Sequence, residues 1–224
     1  MKCSVIIPVL DDDQVLLDLL DDLQVIRQLG HELLVADGGG QRNISQTVLS
    51  RTDHYLFCET GRAQQMNHAA QTASGDILWF LHADTKLDAI KCLSAILQKL
   101  ANSTGWGRFN VVLSGQKMSF RIIEWLMNRR SCLTGIATGD QGIFVSRSLF
   151  EQINGYAQIP LMEDINLSKR LKSVCKPVCL SLKIKTSSRR WEQQGIFKTV
   201  LLMWWLRLAY FGGVSPVKLA KLYR

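Results

Sequence analysis

The chain has 224 residues, of which 47% are hydrophobic, with four prolines and sixteen glycines scattered along it; this excludes a disordered or low-complexity chain and predicts one domain over 1–224. Its formal net charge of +8 points to an anionic partner, which charge alone leaves open among a phosphate-bearing substrate, a nucleic acid and an acidic membrane surface. Basic residues gather late, at Lys183, Lys185, Arg189, Arg190, Lys198, Arg207, Lys218, Lys221 and Arg224, so a local basic face is expected.

The opening Met1-Lys-Cys-Ser-Val-Ile-Ile-Pro8 has too short an apolar stretch for a secretory leader and no small-residue cleavage site behind it. Val/Ile/Leu-rich runs then alternate with segments of helical period, the pattern of α/β proteins with a mainly parallel sheet covered by helices. The predicted strands are Ser4–Val9, Glu32–Ala36, His54–Cys58, Ile77–Leu81, Gly107–Leu113, Gly142–Val145 and Val178–Leu182. Between them the predicted helices are Gln14–Gln28, Asn43–Ser50, Arg62–Ala73, Leu87–Leu100 and Ile165–Lys172. From about residue 192 to the end the chain is helical, aromatic and basic. Its apolar run Ile196–Phe211 is interrupted by Lys198 and Arg207 and falls short of the ~20 residues that span a membrane. That helix either closes the core, the reading preferred, or lies on a membrane interface. The cysteines at 3, 58, 92, 132, 175 and 179 show no zinc spacing and are read as reduced thiols, which predicts a cytoplasmic protein, with peripheral contact at the inner face of the membrane as the alternative.

In open parallel sheets ligands bind beyond the carboxyl ends of strands, and Asp11, Asp37 and Asp84 each follow a predicted strand. Asp84 at a strand end suits a hard divalent cation, and His82, expected on the same side of the strand, is a second ligand or phosphate donor. Equally, Asp84 is placed to cap the helix that begins near Leu87. Asp37-Gly-Gly-Gly40 allows close backbone approach to a ligand and a hydrogen bond from a nucleotide base, or is an ordinary turn. Arg62 stands at a helix start, where anions are favoured. In Leu161-Met-Glu163-Asp164, the acids either simply suit the start of a helix, as its macrodipole prefers, or have one member shielded by bulky neighbours that raise its proton affinity, as a general base requires. Arg189-Arg190-Trp191 pairs two guanidinium groups with an aromatic, a set suited to pyrophosphate.

Taken in order, these segments resemble the family 2 glycosyltransferases from Ser4 to near the C-terminus. Ser4-Val-Ile-Ile-Pro8-Val resembles the family's opening strand, Asp37-Gly-Gly its base-binding loop, His82-Ala-Asp84 its Asp-x-Asp metal motif, Glu163-Asp164 its catalytic-base motif, and Arg190-Trp191 its Arg-Trp element. Gly61-Arg-Ala-Gln-Gln-Met-Asn67, Phe80-Leu-His-Ala-Asp-Thr, Gly139-Asp140-Gln141-Gly, Pro160-Leu-Met-Glu-Asp and the late Gly-Val-Ser-Pro are similar to a bacterial subgroup, some members of which are named for arsenosugar biosynthesis. Three departures stand out: His82 replaces the first aspartate of the metal motif, no Ser-x-Asp follows Asp37, and Asp11-Asp-Asp13 replaces an Asn or Tyr followed by Glu.

The resemblance implies a GT-A fold and a metal-dependent, inverting hexosyl transfer from a nucleotide-diphosphate sugar to an unknown acceptor, with Mg2+ or Mn2+ at Asp84 and His82. It makes Asp164 the base, with Glu163 beside it. It places substrate contacts at Pro8, Asp37, Arg62 and Asn67, at Gly139, Asp140 and Gln141, and at Arg189, Arg190 and Trp191. No nucleic acid is expected, and the basic aromatic tail predicts peripheral contact with an anionic membrane. The rival activities are a sugar-phosphate nucleotidyltransferase, which needs a glycine-rich phosphate loop that Pro8-Val-Leu-Asp-Asp-Asp lacks, and a non-catalytic, membrane-associated nucleotide-sugar-binding protein.

Overall fold

The computed structural model describes residues 1–10, 13–40, 44–101 and 103–223, apart from the side chains of Asp13, Arg190 and Gln194. Asp11, expected to join the acidic edge, and Asn43, the expected start of the second helix, lie outside the described residues.

The elements are β1 (Cys3–Val9), α1 (Asp13–Gln28), β2 (Glu32–Asp37), α2 (Gln46–Ser50), β3 (His54–Phe57), α3 (Arg62–Thr72), β4 (Ile77–Phe80) and α4 (Ala89–Leu100), followed by β5 (Trp106–Leu113), α5 (Met118–Thr134) and a 3-10 turn at Gly139–Gln141. After it come β6 (Phe144–Ser146), α6 (Arg147–Gln152), α7 (Glu163–Val174), β7 (Val178–Thr186), α8 (Arg189–Gln194), α9 (Ile196–Phe211) and α10 (Pro216–Tyr223). The seven strands form one sheet in the order β3-β2-β1-β4-β6-β5-β7. All pairs are parallel except those of β6, which runs antiparallel between β4 and β5.

Every residue of β1 and β2 is buried, as two-sided coverage by helices requires. Side chains of β1 alternate between two cores. Val5 and Ile7 join Leu16, Leu19, Leu20, Leu23 and Ile26 of α1 and the buried stripe of α4, whereas Ile6 joins Ala69 of α3, Leu149 of α6 and Leu167 of α7. Asp88 caps α4 by accepting the N–H of Lys91 at 3.1 Å, so Asp84 is not that helix's cap.

The 17-residue α5 was not expected from periodicity, because it buries only Phe120, Glu124 and Ser131. It docks through hydrogen bonds. Beyond Gly107 the side of β5 facing away from β7 has no strand partner among the described residues. There Asn128 accepts the N–H of Val111 at 2.8 Å and donates to its carbonyl at 2.9 Å, while Glu124 accepts the N–H of Leu113 at 2.7 Å. Two side chains thus complete the backbone pairing a strand would supply. Gly135, at φ +67°, ends the helix and donates to Ser131 O at 3.0 Å.

Cys132 of α5 and Cys179 of β7, with Cα atoms 5.9 Å apart, form a disulfide. This corrects the expectation of six reduced thiols: sheet pairing and the α5 dock bring together cysteines that are 47 residues apart in sequence. The cytoplasmic expectation loses the support it drew from them. Among the described residues, no helix is long and apolar enough to cross a membrane.

The preference for a core-closing tail holds for one face of α9 only. Leu206 and Leu219 pack with Ile136, Met162 and Ile165. Phe197, Leu201, Trp204, Leu208 and Phe211, at spacings of three and four, are exposed, Phe197 by 82%.

Candidate active site

Asp37 closes β2 opposite Val9 of β1. It is fully buried, and its carboxylate accepts the N–H of Gly39 at 2.8 Å and the hydroxyl of Tyr55 at 2.6 Å. Beneath it the Gln65 amide donates to Val9 O at 2.8 Å and Ala36 O at 2.7 Å, tying together the ends of the two central strands. A Cβ on Gly38 would stand 3.0 Å from the Gln65 amide carbon, so glycine is what lets the loop lie on that amide. Pro8 is buried inside β1 opposite Ala36. Arg62 opens α3 and is exposed. Asn67 exchanges two 2.8 Å bonds with the Tyr156 backbone, which makes it a brace between α3 and the turn after α6.

His82 and Asp84 follow the last residue of β4 in a turn, so strand alternation does not orient them alike. His82 Nδ1 lies 3.1 Å from Asp140 Oδ1, and its Nε2 faces Gly139, where a Cβ would come within 2.5 Å. Asp84 turns to the end of β7: its Oδ2 accepts long bonds from Thr186 Oγ1 at 3.4 Å and Ser187 N at 3.3 Å. Its Oδ1 has no hydrogen bond among the described residues. No three His, Cys, Asp or Glu side chains gather as a ligand set among the described residues. What the described residues offer a divalent ion is the single carboxylate oxygen Asp84 Oδ1, so the rest of such an ion's shell would come from phosphate oxygens and water.

The Gly139–Gln141 turn joins this loop to α7. Gly139 donates its N–H to Asp164 Oδ2 at 2.8 Å, and Asp140 pairs with His82. Gln141 is fully buried and donates to Ser131 Oγ at 2.9 Å, holding the turn from below. Burial opposes charge on Asp140, but the His82 hydrogen bond and the positive charges of His82, Arg62 and Arg207 outweigh it and lower its pKa. Met162, at φ +69°, precedes α7 in the left-handed region that side chains rarely adopt. Glu163, 8% exposed, has its pKa raised by burial and by the charge of Asp164. Asp164 is half-buried and accepts the N–H groups of Gly139 and Ile165. The expected shielding of one acid therefore falls on Glu163.

At the far end, Arg189 is exposed with its N–H 3.2 Å from Ser187 Oγ, and Trp191 is partly buried. The Arg190 side chain lies outside the description. Sequence reasoning missed Arg130 of α5 and Arg207 of α9. Both feel the negative charge of Asp164. The available signal was Arg207 itself, a cation inside an otherwise apolar helical run.

The Asp37 loop follows β2 and the His82–Asp84 loop follows β4, both beyond the carboxyl ends of parallel strands, and the second loop is linked through Asp140 and Gly139 to Asp164. Residues 4–114 match the Glycosyl transferase family 2 model. The matched segment takes in Asp37, Arg62, His82 and Asp84 and stops short of Asp140, Asp164 and Arg189. Solved structures extend the likeness, and the architecture is the GT-A fold. TarS of S. aureus superposes with a TM-score of 0.65 at 17% identity, covering 84% of this chain and 37% of that one. TarS 1–349 in complex with UDP-GlcNAc gives 0.62 at 16% identity, over 84% of this chain and 58% of that one. Glucosyl-3-phosphoglycerate synthase from Mycobacterium tuberculosis, in complex with Mn2+, UDP and phosphoglyceric acid, gives 0.59 at 14%, over 83% of this chain and 69% of that one. This chain thus spans less than two thirds of the TarS chains. Comparison with curated proteins returns no match, and none of these likenesses bears on the narrower bacterial subgroup.

Proposed function

We propose that the chain transfers a hexosyl group from a nucleotide-diphosphate sugar to an acceptor hydroxyl in one inverting displacement. The observation that carries this reading is the Gly139–Gln141 turn, which bonds through Gly139 to Asp164 and through Asp140 to the loop bearing Asp84. That linkage supports one crevice with a base at one end and a phosphate site at the other. Family 2 likeness over residues 4–114 supports the donor class, and the UDP and UDP-GlcNAc bound by TarS 1–349 make uridine diphosphate sugars the first to test.

Asp164 accepts the proton of the acceptor hydroxyl, and the oxygen attacks the anomeric carbon. The bond from that carbon to the β-phosphate oxygen breaks, and its electron pair leaves with the nucleoside diphosphate. Asp37 orients the base, while Arg189 and Arg190 meet the charge on the departing phosphates. A magnesium or manganese ion held at Asp84 would supply further neutralisation of that diphosphate; His82 is better assigned to fixing Asp140. Glu163 is the deeper acid, which leaves Asp164 the partner that meets the acceptor.

Asp164→Asn is expected to leave nucleotide binding intact and to slow UDP release from UDP-sugars, in the presence of an acceptor library, by about 10²–10⁴-fold. Unchanged turnover would remove Asp164 as the base.

The exposed aromatic stripe of α9, with Lys198, Lys218 and Lys221 exposed nearby in sequence, supports peripheral contact with an anionic bilayer. Co-sedimentation with vesicles tests it.

A further inference from the structure

Helix α5 carries its apolar side chains on the outside. Its buried residues Phe120, Glu124 and Ser131, with Asn128, which bonds to β5, share one side of the helix. At 3.6 residues per turn, Met118, Ile122, Trp125, Leu126 and Leu133 fall on the opposite side, within about 100° of arc. All five are exposed, from 42% at Leu126 to 76% at Met118, and the stripe they form runs roughly 22 Å along the helix at 1.5 Å per residue. An amphipathic helix ordinarily turns such a stripe to the core. Here the hydrogen bonds of Glu124 and Asn128 and the Cys132–Cys179 disulfide hold α5 in place, and the apolar arc is left to the solvent. Single exposed apolar residues need no explanation, but a continuous row of five marks a surface that something covers.

The charges around the stripe select what covers it. Lys117, Arg121 and Arg129 are exposed, and the Arg129 guanidinium stands 5.4 Å from the centre of the Trp125 ring, a cation–π pair. The one acid between Gly115 and Gly139 is Glu124, which is buried and held by Leu113 N and Arg121. From its own residues α5 thus presents apolar and positive groups to the solvent and no negative one. A second copy of this chain, docked face to face about a two-fold axis, would bring like charges together. A leaflet containing anionic lipid supplies both things the face lacks, acyl chains for the stripe and phosphates for the flanking cations. The chain's net charge of +8 acts in the same direction.

We propose that the outward face of α5 seats the protein on an anionic bilayer, its five apolar side chains entering the headgroup–acyl boundary while Lys117 and Arg129 meet lipid phosphates. This is a site separate from the α9 stripe and independent of glycosyl transfer, so each of these readings can fail without the others. The helix so seated also braces the candidate active site, because its Ser131 accepts from Gln141 beneath the turn whose Gly139 donates to Asp164.

The test titrates the full chain at low salt with vesicles of phosphatidylglycerol and phosphatidylcholine, and with phosphatidylcholine alone. Wild type is expected to bind the anionic vesicles more tightly. Ile122→Ser together with Trp125→Ser, both at exposed positions, is expected to melt as wild type does and to lose about tenfold or more in partitioning. Arg129→Gln leaves the stripe intact and should lose about fivefold on anionic vesicles and little on neutral ones, so the surface stays testable should the double variant fold poorly. Wild type that binds no vesicle overturns the proposal, as does anionic-vesicle affinity unchanged in both α5 variants. Binding lost in the α5 variants but kept in Trp204→Ser with Leu208→Ser supports the α5 surface and removes the α9 contact; the reverse result leaves the bilayer to α9 and overturns the proposal. Sedimentation velocity without lipid reads the other occupant: wild-type dimers that Ile122→Ser with Trp125→Ser dissociates would overturn the bilayer assignment and give the face to a second copy of the chain.

Discussion

Replacing Gln65 with Leu removes the one amide that donates to both Val9 O and Ala36 O, at 2.8 and 2.7 Å, while nearly conserving volume. Val9 O retains the N–H of Gly38 at 3.0 Å, so no full desolvation penalty falls on it. The loss is that of two net hydrogen bonds, about 1–3 kcal/mol in total. For a chain of this length each kcal/mol moves Tm by roughly 2–4 °C, so a loss near the middle of that range lowers Tm by about 4–8 °C. Because the same amide underlies Gly38, which follows Asp37, nucleotide affinity should fall with stability, by about tenfold for 1.4 kcal/mol of lost positioning. Gln65→Glu places a buried charge against two carbonyl oxygens and should cost more than Gln65→Leu. Calorimetric melting and nucleotide titration of the two variants read both effects. A Gln65→Leu protein that melts and binds UDP as wild type does would refute the claim that this amide holds the donor end of the crevice.

The pKa of Glu163 is raised in the folded protein above its ordinary 4.5. Between those two values the folded state holds more protons than the unfolded one, so wild-type stability should fall as pH rises from about 4.5 through the folded pKa. Denaturant unfolding at several pH values should show Glu163→Gln without that decline and more stable than wild type near neutrality; identical slopes would mean Glu163 is not strained. For the tail, wild type should pellet with anionic vesicles at low salt. Trp204→Ser together with Leu208→Ser, both at exposed positions, should stay in the supernatant, and equal pelleting would remove the stripe from the interaction.

What was legible in the sequence were elements with one clear period. β1 and β2 are unbroken apolar runs, and α4 places Cys92, Leu93, Ile96 and Leu100 on a buried stripe. All seven strands were anticipated to within a few residues, and β7 extends furthest beyond expectation, to Thr186. α5 was hidden because it binds the sheet through Asn128 and Glu124 rather than through an apolar face, and no hydropathy pattern records that. In the site, residue types were readable but their directions were not. His82 was expected on the same side as Asp84 because strand alternation was carried past the predicted end at Leu81, yet β4 ends at Phe80 and His82 pairs with Asp140. Cys132 and Cys179 were missed because only tertiary packing brings α5 and β7 together.

The central claim is that Asp37 and Asp84 mark the two ends of a nucleotide-diphosphate site. Titrating UDP and a panel of other nucleoside diphosphates, with and without Mn2+, into wild type, Asp37→Ala and Asp84→Ala tests it most directly. The account predicts that one nucleotide binds wild type more tightly with Mn2+ and that Asp84→Ala removes the metal dependence but not all binding. Asp37→Ala should weaken binding with or without metal. Nucleotide affinity indifferent to Mn2+ and to both substitutions would contradict it.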